Sequence, residues 1–117
     1  MLRRLLSLFG RKPVLVKGVS ALPEGQAKKI TIGDPLAGHG VDVVLARVGG
    51  VVYAVDARCP HEGGRISEGP LLQGRYVTCP LHHYRFDPAT GECENAPCGK
   101  ARTYPAKALG NDLEIRI

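Results

Sequence analysis

Two short motifs carry most of the chemistry this chain can do: Cys59-Pro60-His61 and Cys79-Pro80-Leu81-His82, with seventeen residues between His61 and Cys79. Each offers one thiolate sulfur and one imidazole nitrogen. A [2Fe–2S] cluster with two cysteines on one iron and two histidines on the other needs this symmetry, one ligand of each type per loop. The same four residues, Cys59, His61, Cys79 and His82, could instead hold a tetrahedral Zn²⁺. Zinc motifs favour wider cysteine pairs, and the one-residue gap from Cys59 to His61 is unusual there, so the spacing favours the cluster. The proline after each cysteine restricts the backbone and turns the loop outward. Gly63 and Gly64 let the chain approach closely and aim amide N–H groups at sulfur.

Other reactive residues take plainer readings. His83 follows His82, but the two-residue gap after Cys79 selects His82, leaving His83 as an exposed neighbour. His39, between two glycines, reads as a solvated loop residue. Cys93 and Cys98 read as small buried or half-buried thiols, with a disulfide between them as the alternative. Glu62, Glu68, Asp87 and Glu92 could rim the ligand loops, although such charges more often only keep a surface solvated.

The elements that must position the two motifs read as short strands. Val14–Lys17, Lys28–Ile32, Val41–Val48 and Val51–Asp56 are β-branched and bounded by Gly, Pro or Asp. Gly49-Gly50 is a two-residue hairpin signal. Arg75–Thr78, Tyr84–Asp87, Thr103–Lys107 and Leu113–Ile117 continue the pattern, with Gly110-Asn111 turning the last two back on each other. No helical period appears between 14 and 117. The expected fold is an all-β antiparallel sandwich or barrel, interrupted at 57–74 by an irregular excursion.

Residues 1–13 differ. Leu2, Leu5, Leu6 and Phe9 fall on one helical face, with Gly10 as a C-cap and Pro13 as a stop. This predicts a short N-terminal amphipathic helix that packs on the domain's own core, docks on a partner, or touches a membrane surface through residues 1–12. The long apolar centre and small-residue cleavage site of a secretory signal are missing.

The composition excludes several classes. The net charge is +5 over 117 residues, but Arg3, Arg4, Arg11 and Lys12 supply four of the positive charges. Twelve basic residues then face eleven acids, with no basic stripe of the kind nucleic acid needs. With two Phe and no Trp, platforms for stacking bases are few. No apolar run reaches membrane-spanning length. Four cysteines, two of them close to histidines, suit metal binding in a reducing cytoplasm better than a secreted disulfide scaffold. No nucleophile–base pair or substrate pocket can be read, so the chain alone is not expected to be an enzyme.

The ligand motifs resemble the Rieske signature C-x-H…C-x-x-H. The likeness extends through Gly63-Gly64, Ser67-Glu68-Gly69, Arg85-Phe86-Asp87 and Thr90-Gly91-Glu92, and covers about residues 14–117. The chain looks similar to small soluble Rieske ferredoxins and to the small-subunit type of bacterial nitrite reductases. The resemblance implies a three-sheet antiparallel β fold, with a cluster-binding subdomain at about 57–88 inserted into a larger base (the Rieske domain being 14–117). It also implies one [2Fe–2S] cluster, held by Cys59, His61, Cys79 and His82. Members that oxidise quinols add a cysteine in each loop and form a bracing disulfide; the corresponding positions here are Gly64 and Leu81. They also donate Ser and Tyr hydroxyls to sulfur, where this chain has Tyr84 and Phe86. Fewer such hydrogen bonds imply a low potential. The implied role is a one-electron carrier between a reductase donor and an oxygenase or reductase acceptor. The alternatives are a Rieske subunit held permanently in a larger oxidoreductase such as a nitrite-reductase-like enzyme, or a zinc-binding structural module.

Overall fold

A computed structural model describes residues 13–33, 36, 40–60, 64–81, 83–97 and 99–117. The expected N-terminal amphipathic helix lies outside the described residues, as do His39, His61, Glu62, Gly63, His82 and Cys98.

Among the described residues, ten strands form three antiparallel sheets. β1 (Pro13–Val16), β10 (Asp112–Arg116) and β9 (Ala106–Leu109) make one, in the order β1-β10-β9. The second has the order β5-β2-β3-β4-β8, from Gly69–Pro70, Gln26–Ile32, Val41–Val48, Val51–Asp56 and Thr103–Tyr104. The third is the pair β6 (Val77–Cys79) and β7 (Tyr84–Phe86). One 3₁₀ turn, Val19–Ala21, follows β1.

The five-stranded sheet is the middle layer, and its central strands show why. Successive side chains on a strand point to opposite faces. In β3, Val43 and Leu45 pack with Val52, Ala54, Tyr104, Leu113 and Ile115 of one core. Val44 and Ala46 pack with Val55, Ile66, Val77, Phe86 and the two thiols Cys59 and Cys79 of another. A strand buried on both faces reads as a continuous apolar run, as Val43–Ala46 does, rather than as alternation.

The Gly49-Gly50 hairpin forms as expected, with Val48 opposite Val51 and both glycines at positive φ. Gly110-Asn111 joins Leu109 to Asp112, with Gly110 alone at positive φ. The expected single strand Thr103–Lys107 is instead two. Pro105 has no N–H to give a ladder. The chain therefore leaves β4, which β8 pairs at Ala54↔Tyr104, and crosses to β10, which β9 pairs at Glu114↔Lys107. The expected strand at Arg75 starts later, at Val77. Gln73 and Gly74 sit at positive φ, and a tight turn closes with Leu72 opposite Tyr76. The short β5 was not expected: Gly69–Pro70 lies on the edge of β2, where a proline is tolerated.

Candidate metal centre

Each motif sits on a narrow neck of antiparallel backbone. In the first, Ile66 N donates to Ala57 O at 2.8 Å, Arg58 bridges Arg65, and Cys59 N donates to Gly64 O at 2.7 Å. The chain between residues 59 and 64 is thus closed at its base. In the second, Val77↔Phe86, Thr78↔Arg85 and Cys79↔Tyr84 pair in register, leaving residues 80–83 as the connection. Ser67 N donates to Thr78 O at 2.8 Å and ties the two necks together.

Cys59 and Cys79 are buried, at 4% and 1% exposure, in the same apolar cluster. Cys79 is a free thiol. Gly64 closes the gap between their loops: its carbonyl takes the Cys59 amide, and a β-carbon built on it would lie 2.7 Å from Cys79 Sγ and 3.3 Å from Leu81 Cβ. With Cys79 and Leu81 placed as they are, a side chain at 64 would force one of them to shift. Two buried cysteine sulfurs brought into one cluster beside Gly64 are a donor pair suited to soft metal. The structure therefore brings the two expected cysteines together, while His61 and His82 lie outside the described residues.

The surroundings are built from residues that sequence reasoning had left aside. Asn95 Nδ2 donates to His83 O at 3.0 Å, and Asn95 Oδ1 accepts Arg85 N at 3.0 Å. This holds the exit of the second loop, where His83 adopts a left-handed φ of 56°. Nothing in Cys93-Glu94-Asn95 signals such a clamp, because it depends on a bridge between Phe86 and Cys93 that only the fold creates. Cys93 is a free, half-buried thiol, with Sγ 3.8 Å from Asn95 Oδ1. His83 is exposed, as expected. Phe86 is fully buried in the same cluster as the two thiols, and Tyr84 packs against that cluster.

A second buried group stands three residues before Cys59. Asp56 is 3% exposed and accepts from Tyr104 Oη at 2.7 Å and from Arg58 N at 2.8 Å. Burial pushes the Asp56 carboxyl up, but the hydrogen bonds from Arg58 and Tyr104 outweigh it and hold the group below its ordinary value. Burial, then the hydrogen bond to Asp56, push the Tyr104 hydroxyl up to about 12. Two of the acids considered as a rim, Glu68 and Asp87, cap backbone amides, while Glu62 lies outside the described residues. Glu68 Oε2 accepts Lys29 N at 2.7 Å, and Asp87 Oδ1 accepts Ala89 N at 2.9 Å.

Residues 12–105 match the family model described as the Rieske [2Fe-2S] domain. The chain belongs to that family. The Rieske domain is 38% identical over 97 residues to the ferredoxin component of a naphthalene 1,2-dioxygenase system from Pseudomonas aeruginosa, covering 82% of this chain and 86% of the relative. It is 36% identical over 100 residues to the 3-phenylpropionate/cinnamic acid dioxygenase ferredoxin subunit of Shigella boydii serotype 4 (strain Sb227), covering 85% and 88%. Among solved structures, the ferredoxin of carbazole 1,9a-dioxygenase from Nocardioides aromaticivorans IC177 superposes with a TM-score of 0.71 at 26% identity, over 89% of this chain and 96% of that one. Family membership implies one Rieske-type [2Fe–2S] cluster, and the paired thiols around Gly64 fit it.

Proposed function

We propose that this Rieske domain is a low-potential one-electron carrier whose cluster is held by Cys59, His61, Cys79 and His82. The observation that carries the reading is Gly64, which receives the Cys59 amide and abuts the Cys79 sulfur, so both loops serve one centre. When bound, a [2Fe–2S] cluster supplies one-electron redox chemistry. The chain's own residues do the rest. Cys59 and Cys79 present their sulfurs from an apolar floor, Phe86 excludes water from the apolar cluster they share, and Asn95 fixes the carbonyl of the residue after His82.

Several features support the low potential. The positions of the bracing cysteines are Gly64 and Leu81, and Phe86 has no hydroxyl to donate to sulfur. Hydrogen bonds to sulfur favour the reduced, more negative cluster. With fewer of them the potential falls toward the low end of the Rieske range, about −150 mV. Such a carrier suits an oxygenase acceptor and a reductase donor, and both named relatives are ferredoxin components of dioxygenases. It is a component of an oxidoreductase system rather than an enzyme in itself. Residues 57–88 act as the cluster-binding unit within a domain spanning 14–117. The free thiols of Cys79 and Cys93 suit the reducing cytoplasm. No helix of the described residues is long and apolar enough to cross a membrane.

The deciding experiment is visible absorption and EPR of freshly purified protein before and after dithionite, with iron, sulfide and zinc analysis. A red-brown protein with two irons and two sulfides per chain, and an EPR signal only when reduced, is expected. A colourless chain carrying one zinc and no sulfide would overturn the reading.

A further inference from the structure

The two flanks of the paired loops differ in charge. Beside the second loop the arginines are matched: Arg85 pairs with Glu94, and Arg75 lies 3.6 Å from Asp87. Beside the first loop, a cleft of about 300 Å³ is lined by Asp56, Arg58, Cys59, Pro60, Lys100 and Arg102. Three cations there face a single carboxylate, and that carboxylate is buried and already bonded to Arg58 and Tyr104. Lys100 and Arg102 are exposed and have no acidic partner among the described residues.

The backbone fixes these cations beside the loop. Asp56 N donates to Arg102 O at 2.8 Å, and a β-carbon on Gly99 would lie 3.3 Å from Pro60 Cβ. The Arg102 guanidinium stands 5.2 Å from the Tyr104 ring centre. The 99–102 segment therefore runs along the first ligand loop. Next to this flank, Pro60 is exposed, and Leu81, across Gly64, is 51% exposed. Two exposed apolar side chains, Pro60 and Leu81, beside cations without acidic partners among the described residues match the make-up of a protein–protein contact, in which apolar residues sit centrally and charges steer from the rim.

Resting on the electron-carrier reading above, we propose that the Arg58–Lys100–Arg102 flank docks an acidic face of the electron-exchange partner, its carboxylates entering the cleft beside Cys59. The cations steer the partner toward the edge nearest the metal centre. The contact is selective because Arg85 and Arg75, the arginines described on the other flank, are already paired with Glu94 and Asp87.

The test uses the holoprotein, with poly-L-glutamate as the acidic polypeptide. The reporter is stopped-flow oxidation of dithionite-reduced protein by hexacyanoferrate(III). One electron leaves the protein and the ferric complex becomes ferrous. Poly-L-glutamate is expected to slow the wild type about fivefold or more at low ionic strength, and about 0.3 M NaCl to abolish the effect. A Lys17→Glu/Lys107→Glu variant, with the same net charge change away from the cleft, is expected to respond like the wild type. Lys100→Glu/Arg102→Glu is expected not to respond. Lys100→Glu alone should respond weakly, and serves if the double variant takes up no cluster. Equal slowing of all chains would overturn the docking face. So would a response to inorganic phosphate without one to poly-L-glutamate, which would mark a small-anion site only. Wild-type protein that shows no cluster spectrum, or passes no electron to hexacyanoferrate, sinks the carrier reading itself and the docking face with it.

Discussion

A β-carbon on Gly64 would stand 2.7 Å from the Sγ of Cys79, closer than two such atoms can pack. Leu81, also within 3.3 Å, can swing away, but Cys79 is 1% exposed and has no room to retreat. Gly64 O is also bound to Cys59 N, so a side chain at 64 would press the two thiols apart. Gly64→Ala is therefore expected to lose most of its iron and sulfide, and to cost about 1–3 kcal/mol of stability from overpacking. Metal analysis and denaturant unfolding check this. Wild-type iron content in the variant would remove Gly64 from the centre.

Asn95 joins two backbone groups that lie on either side of Tyr84, the His83 carbonyl and the Arg85 amide. Its two halves can be tested apart. Asn95→Asp keeps the oxygen that accepts Arg85 N but loses the amide hydrogens given to His83 O. Asn95→Ala loses both, at about 1–2 kcal/mol. If the clamp positions the second loop, Asn95→Asp should already shift the EPR g-values and midpoint potential of the reduced protein, with little loss of stability. A role in stability alone would leave the spectrum unmoved in both variants.

Much of this architecture was legible because local signals and fold agree. Gly49-Gly50 and Gly110-Asn111 set their hairpins without tertiary help, since glycine readily supplies the positive φ found at 49, 50 and 110. The ligand motifs were legible as a spacing of sulfur and imidazole. The clamp at Asn95 and the Asp56–Tyr104 pair were not, because the partners are 12 and 48 residues apart and only the sheet pairing brings them together. The break at Pro105 was available in the sequence, and the β-branched and aromatic flanks masked it.

The Asp56–Tyr104 hydrogen bond predicts opposite pH limits from one interaction. Folding raises the Tyr104 pKa from 10.0 to about 12. The unfolded chain then loses that proton first, so this contribution is full below pH 10 and fades as pH climbs toward 12. Folding lowers the Asp56 pKa below 3.8, so its contribution is full above that value and is lost as pH falls through the lowered one. Tyr104→Phe should cost about 1 kcal/mol at neutral pH, flatten the alkaline loss of thermal stability, and move the acid limit upward. Melting curves between acid and alkaline pH would show whether the limits move; an unchanged alkaline limb would dismiss the pair as its cause.

His82 and His83 are adjacent, chemically identical, and expected to behave oppositely. His83 is exposed and holds a left-handed φ of 56°, a conformation that costs a residue with a β-carbon about 1–2 kcal/mol. Glycine there removes that strain and adds about 0.5–1 kcal/mol of unfolded-state entropy, so His83→Gly should change stability by no more than about 1 kcal/mol. If His82 is the ligand, His83→Gly keeps its iron and its reduced EPR signal, while His82→Ala loses both. The reverse result would move the ligand one position along the chain. The two-residue gap after Cys79 would then no longer define the site, and the clamp from Asn95 would act on the ligand's own carbonyl.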